Sequence, residues 1–142
     1  MNMSNTGLAL IKVFEGCLLE AYQDSVGVWT IGHGHTLQVK HGDIITAAGA
    51  ELLLLNDLKS VEHTLNSVVH TPLTQNQYDA LCSFVFNLGT KAFSGSTLLK
   101  KINSEEYAAA ADEIVKWNKA GGQPEAGLTR RRTAERQLFL TK

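Results

Sequence analysis

Residues 15–36 read EGCLLEAYQDSVGVWTIGHGHT, and across them the hydrophobic period changes. Upstream, Leu8, Ile11, Phe14 and Leu18 recur at helical spacing behind Ser4, a residue suited to cap a helix, and Gly16 offers a stop. Downstream the period is two. Residues 21–24 and 28–36 read as short strands about the turn Asp24-Ser25-Val26-Gly27, whose glycine supplies the permissive backbone. A helix that runs straight into a hairpin, with only helical patterns after it, predicts an α+β fold that is mainly α.

The polar residues of this stretch sit at telling positions. At roughly 100° per residue, Glu15 projects between Leu8 and Ile11, inside the apolar arc. Partial desolvation there favours the protonated form that a general acid needs. With the register centred on Gly27, Asp24 lies opposite Thr30 and the two side chains share a face. Gly32 and Gly34 weaken the second strand but let a ligand or another chain approach the backbone closely. His33 and His35, with His41 nearby, have a spacing that invites a metal. No Cys or Asp stands at ligand spacing around them, so they read as scaffold, with His35 hydrogen-bonding near the carboxylates.

The remaining chain is helical in pattern. Thr46 caps a helix to about Val68 with a stripe of Leu52, Leu55, Leu58, Val61 and Leu65, long enough at about 30 Å to join two lobes. The segment 70–74 breaks it, and Thr74 caps the next helix. Helices are expected at 75–88, 95–102, 105–117 and 128–140, with an irregular surface loop at 118–126. The reading is a single domain over 1–142, with lobes at roughly 1–68 and 69–142 and the first helix able to pack on the C-terminal lobe.

Composition sets outer bounds. A chain of 142 residues, 44% of them hydrophobic, can bury a core without disulfides or metal. The longest apolar run, 47–55, is broken by Gly49 and Glu51, and MNMSNTG has neither a basic nor an apolar targeting segment, so accumulation in the cytoplasm is expected. Cys17 and Cys82 read as reduced, partly buried thiols. Residues 1–99 carry 4 Lys and Arg against 8 Asp and Glu, and residues 100–142 carry 9 against 6. The basic C-terminal part, with Arg130, Arg131 and Arg132, therefore either faces a polyanion or forms solvated helix faces. Nucleic acid is a poor candidate because the run lacks an aromatic platform.

Two carboxyl groups flanking a gap, one held protonated by apolar neighbours and one ionised in a polar turn, suit acid-catalysed glycoside cleavage. Glu15 would protonate the leaving oxygen, Asp24 would stabilise developing positive charge or activate a water, and Thr30 would hold that water.

Glu15, Tyr22, Asp24, Gly27, Thr30, Gly32, Gly34 and His35 resemble, in order and spacing, the phage-type lysozymes of glycoside hydrolase family 24, which include bacteriophage endolysins. Residues 86–89 (FNLG), 117–122 (WNKAGG) and 127–132 (GLTRRR) are similar to later motifs of that family. The resemblance implies cofactor-free hydrolysis of the β-1,4 bond between N-acetylmuramic acid and N-acetylglucosamine in peptidoglycan. It makes Glu15 the general acid and Asp24 with Thr30 the water-activating pair, and brings in Tyr22, Gly34 and His35 as candidate substrate-binding residues, with no metal. It also implies a small lobe with a β-hairpin, a long connecting helix, a helical lobe and a cleft between the lobes.

Three departures stand out: Gly49 where a Glu is frequent, Ala126 where a proline is common, and no visible N-terminal membrane anchor. The last favours an enzyme without stable membrane association, held in the host cytoplasm until holin lesions admit it to the periplasm; a monomer is expected. Two other readings stay open: a lytic transglycosylase, and a wall-binding module that grips anionic wall through Arg130–Arg132.

Overall fold

The computed structural model describes residues 1–142. The elements run α1 (Asn5–Glu15), β1 (Leu18–Gln23), β2 (Trp29–Gly32), α2 (Ala47–Val68), α3 (Gln75–Leu88), α4 (Thr90–Ser94), α5 (Thr97–Asn103), α6 (Tyr107–Ile114), β3 (Lys119–Ala120), β4 (Gln123–Pro124) and α7 (Ala126–Leu140). The class is α+β and mainly α. No helix is long and apolar enough to cross a membrane. The chain divides into two compact units, residues 9–60, and residues 1–8 together with 61–142.

In the unit of residues 9–60, α1 stops where its sequence says it should. Gly16 adopts φ +67° and its N–H donates to the Lys12 carbonyl at 2.9 Å, a left-handed cap. Leu18 therefore lies in β1, not on the helix, and is exposed. The hairpin starts earlier and ends sooner than its alternation suggests. Its first strand begins at Leu18, and its second ends at Gly32 instead of running on to Thr36.

The pairing also differs from a register centred on Gly27: Tyr22 faces Thr30 and Gln23 faces Trp29. Between Leu18 and Tyr22 the register shifts, because the middle of β1 turns to another partner. Ala21 N–H donates to the Asp43 carbonyl and Ile45 N–H to the Leu19 carbonyl, both at 2.9 Å, and Glu20 bridges Ile44. A two-strand reading had no place for this third segment.

The α2 helix begins as read, with Thr46 Oγ1 accepting from Gly49 N–H at 3.0 Å. Its first half is phased differently from the expected stripe. Leu52 is 68% exposed and Leu55 is also exposed, while Ala50 and Leu54 are buried in line with Leu58, Val61 and Leu65. A helix with four consecutive leucines at 52–55 offers two apolar stripes, and composition cannot choose between them.

In the other unit, α3 opens on a complete capping box between Thr74 and Gln77 and lies against α7. Its residues Tyr78 to Val85 are all buried. Ser4 stands at the α1 N-cap position, but its hydroxyl donates to Asp79 instead of capping the helix, and its N–H donates to the same carboxylate at 2.9 Å. The short helix α4 was not anticipated, since five residues carry too little periodicity to register. Nor was the β3–β4 hairpin inside the expected loop, where Gly121 and Gly122 supply the positive φ values of a tight turn.

Candidate active site

The turn between β1 and β2 is built by Asp24. Its Oδ1 accepts from the N–H groups of Val26 and Val28, both at 2.9 Å, and its own N–H donates to the Val28 carbonyl at 2.9 Å. Gly27, at φ +86°, donates to the Asp24 carbonyl at 3.0 Å. One carboxylate oxygen thus fixes the loop, on an exposed residue.

Thr30 is 5% exposed, and its hydroxyl donates to the Val28 carbonyl at 3.0 Å. Thr30 pairs with Tyr22, which is half-buried, and not with Asp24. Asp24 lies one residue beyond the end of β1, and its carboxylate turns to the N–H groups of the loop.

Glu15 is the last residue of α1 and is half-buried. Beside it lies the turn that follows β2. Ile31 and His35 exchange both backbone hydrogen bonds at 2.9 Å, so the intervening loop contains only Gly32, His33 and Gly34. Both glycines have positive φ, +65° and +78°. A Cβ on Gly34 would stand 2.6 Å from Glu15 Oε1 and 3.2 Å from its Cδ, so a side chain here would strain the backbone and displace the end of the Glu15 side chain. A Cβ on Gly32 would stand 3.3 Å from the Ala50 Cβ and from the Ile45 side chain, which seats the turn on the start of α2.

The two histidines of the turn have separate partners. His33 Nδ1 lies 2.7 Å from the Gly16 carbonyl. His35 is buried, with Nδ1 2.8 Å from Asp57 Oδ2 and Nε2 3.0 Å from the Leu37 carbonyl. Both nitrogens of the ring are thus engaged, one by the Asp57 carboxyl on α2 and one by the backbone of the loop after the turn. Lys12 Nζ lies 2.5 Å from Glu51 Oε2, which ties α1 to α2 within this unit.

Sequence reasoning passed over two contributors. Asp57 is one; the signal available was an acidic residue next to Leu58 on the buried stripe of α2. The other is the Gly16 carbonyl, which no side-chain pattern announces. Cys17, expected to be partly buried, is exposed, whereas Cys82 is wholly buried and its thiol is pushed up by that burial.

The arginine run is not a surface patch. Arg131 and Arg132 are buried, at 3.3 and 3.0 Å from the oxygens of the fully buried Glu135, which also accepts from the Ser83 hydroxyl at 2.6 Å. Burial pushes the Glu135 carboxyl up, against the pull of Arg132. The segment that read as a polyanion grip is thus largely internal ion pairing, and only Arg130 of the three is exposed.

Residues 12–135 match the phage lysozyme family. The chain is 50% identical to the endolysin of Acyrthosiphon pisum secondary endosymbiont phage 1 over 143 aligned residues, covering 98% of each chain. It is 48% identical to the endolysin of Salmonella phage P22, covering 99% of each. Among solved structures, the muramidase domain of SpmX from Asticaccaulis excentricus superposes with a TM-score of 0.93 at 43% identity, covering 99% of both chains.

Proposed function

The chain belongs to the phage lysozyme family, and from that membership we propose that Glu15 is its general acid and that Asp24 and Thr30 hold and activate the water it uses. The protein is an endolysin, a glycosidase that hydrolyses bacterial peptidoglycan. The bond cleaved is the β-1,4 link from N-acetylmuramic acid to N-acetylglucosamine. Glu15 gives its proton to the glycosidic oxygen as the bond to the anomeric carbon breaks, and positive charge grows on the sugar ring.

The observation that carries this assignment is the hydrogen bonding of the hairpin face. Thr30 Oγ1 spends its proton on the Val28 carbonyl, so towards a water it can only accept. Asp24 Oδ1 is occupied by two backbone N–H groups, so the carboxylate receives a water proton at Oδ2. A water that donates one hydrogen to Asp24 and the other to Thr30 keeps its lone pairs for the anomeric carbon. Attack passes one proton to Asp24 Oδ2 and inverts the configuration; Asp24 then releases that proton to solvent and the carboxylate of Glu15 takes one up, which restores both groups. Inversion calls for a carboxyl separation of roughly 6.5–9.5 Å, with room for the water.

Tyr22 and Gly34 border this chemistry as substrate contacts. The His35 contribution is indirect, through the turn it fixes. The same reading keeps the enzyme in the host cytoplasm until holin lesions release it into the periplasm, where it works as a monomer. Glu15→Gln should abolish clearing of permeabilised Gram-negative cells while leaving the thermal transition in place, and retained clearing removes Glu15 from the mechanism. Product masses separate the enzymatic alternatives. Reducing muropeptides are expected, whereas anhydro-muropeptides would make the protein a transglycosylase and leave Asp24 and Thr30 without their water.

A further inference from the structure

We propose that His33 is a positioning residue for the general acid: its imidazole clamps the Gly16 carbonyl and thereby fixes the end of α1 from which Glu15 projects. The proposal rests on Glu15 being the general acid. It starts from a mechanical problem in the fold. The last carbonyls of a helix lack intrahelical partners, and helix ends fray. Glu15 is the terminal residue of α1, followed by a left-handed glycine. A carboxyl that must be held to within about 0.5 Å for proton transfer is therefore carried by the terminal residue of a helix, whose backbone must be fixed from outside the helix.

The turn after β2 answers that problem at two adjacent residues. His33 donates from Nδ1 to the Gly16 carbonyl at 2.7 Å, and Gly34 presents its Cα to the Glu15 carboxyl. One contact holds the backbone immediately after the acid and the other borders its side chain. The turn is itself anchored: the Ile31–His35 hydrogen-bond pair closes it, His35 ties it to Asp57 on α2, and Gly32 seats it against Ala50. A continuous chain of contacts thus runs from α2 through Asp57, His35 and His33 to the peptide that follows Glu15. Because the partner is a carbonyl, Nδ1 must carry the hydrogen, so an asparagine amide can replace it and an aliphatic side chain cannot.

His33 is half-exposed and its hydrogen bond lies at the surface, so its removal should cost little stability. The effect should instead appear in turnover, because misplacement of a catalytic group by a fraction of an ångström is felt in the rate more than in binding.

The test compares His33→Leu, His33→Ala and His33→Asn in the full chain, with Glu15→Gln alongside, using initial rates on soluble linear peptidoglycan and thermal unfolding. Two donor-less variants guard against one of them misfolding. The expected result is a kcat at least threefold lower in the folded Leu and Ala variants, KM within twofold of wild type, and an Asn variant within twofold of wild-type kcat. A smaller fall in kcat, a fall that Asn does not restore, or one matched by KM overturns the clamp while the general-acid assignment stands. Activity surviving in Glu15→Gln overturns that assignment and the clamp with it.

Discussion

Replacing Gly34 by alanine separates what the turn does for stability from what it does for chemistry. The added methyl has two consequences. Gly34 sits at φ +78°, where an L-residue is disfavoured by about 1–2 kcal/mol. Its Cβ would also stand 2.6 Å from Glu15 Oε1, so to regain an ordinary contact of 3.4 Å one of the two must move by roughly 0.8 Å. The turn is the stiffer partner, closed by two backbone hydrogen bonds of 2.9 Å and anchored through His35, so the Glu15 side chain yields.

Displacement of a reacting group by about 1 Å costs on the order of 100-fold in rate. Strain alone should lower the melting temperature by about 3–8 °C for a domain of this size. Gly42→Ala is the internal control. Gly42 also has positive φ, +90°, but nothing lies within 4 Å of the place its methyl would take, so it carries the backbone penalty without the contact. Measured by reducing ends released from peptidoglycan and by circular dichroism melts, both variants should lose similar stability, and only Gly34→Ala should lose activity about 100-fold. The reasoning is refuted if Gly34→Ala keeps more than a third of wild-type activity, or if Gly42→Ala loses as much as it does.

Two further outcomes follow from the polar anchors. Asp57→Ala removes the hydrogen-bond partner of His35 Nδ1, in a pair whose side chains are only 10% and 24% exposed, and should destabilise the fold by about 1–2 kcal/mol in urea titrations; a loss under about 0.5 kcal/mol would show that this contact does not anchor the turn. Glu125 caps α7 by accepting from Gly127 and Leu128 N–H groups, both at 2.8 Å, and these bonds hold its carboxyl below the usual range. A depressed folded value means a stabilising contribution that is complete above the unfolded carboxylate range and lost as pH falls through the folded value. The melting-temperature gap between wild type and Glu125→Gln should therefore be present at neutral pH and close on acidification, and a gap that does not change with pH contradicts the cap.

What the sequence made legible divides along physical lines. Features set by one residue and its immediate neighbours came through: the Gly16 stop, the Thr46 and Thr74 caps, the turn at Asp24 and the bounds of α3. Features set by a competition between partners did not. The register of the hairpin depends on whether β1 keeps β2 along its length or gives its middle to residues 43–45, and no alternation within β1 encodes that choice. The actual register differs from the expected one by two residues along one strand, which preserves side-chain parity but puts Tyr22, not Asp24, opposite Thr30. The arginine run was misleading for a related reason, since its charge partner Glu135 is on the same helix but its burial is decided by packing against α3.

The distribution of apolar burial explains why polar anchors matter so much in the segment that carries the proposed catalytic residues. Of the buried apolar side chains, five (Ile11, Ile31, Ala50, Leu54 and Leu58) belong to residues 9–60, and the remaining sixteen belong to the other unit. Most of residues 16–46 is hairpin, turn and loop, with little apolar surface to fix its conformation. Hydrophobic contact is in any case non-directional, and would hold such a segment near the right place without holding it in one geometry. Hydrogen bonds are directional. Asp24 to its own turn, His33 to Gly16 and His35 to Asp57 each fix an orientation that packing would leave soft. The consequence is that stability and activity should separate in this segment. Loss of a single hydrogen bond at its exposed edge, as at His33, should be nearly silent in a melt and visible in kcat, while the buried His35–Asp57 pair should register in both.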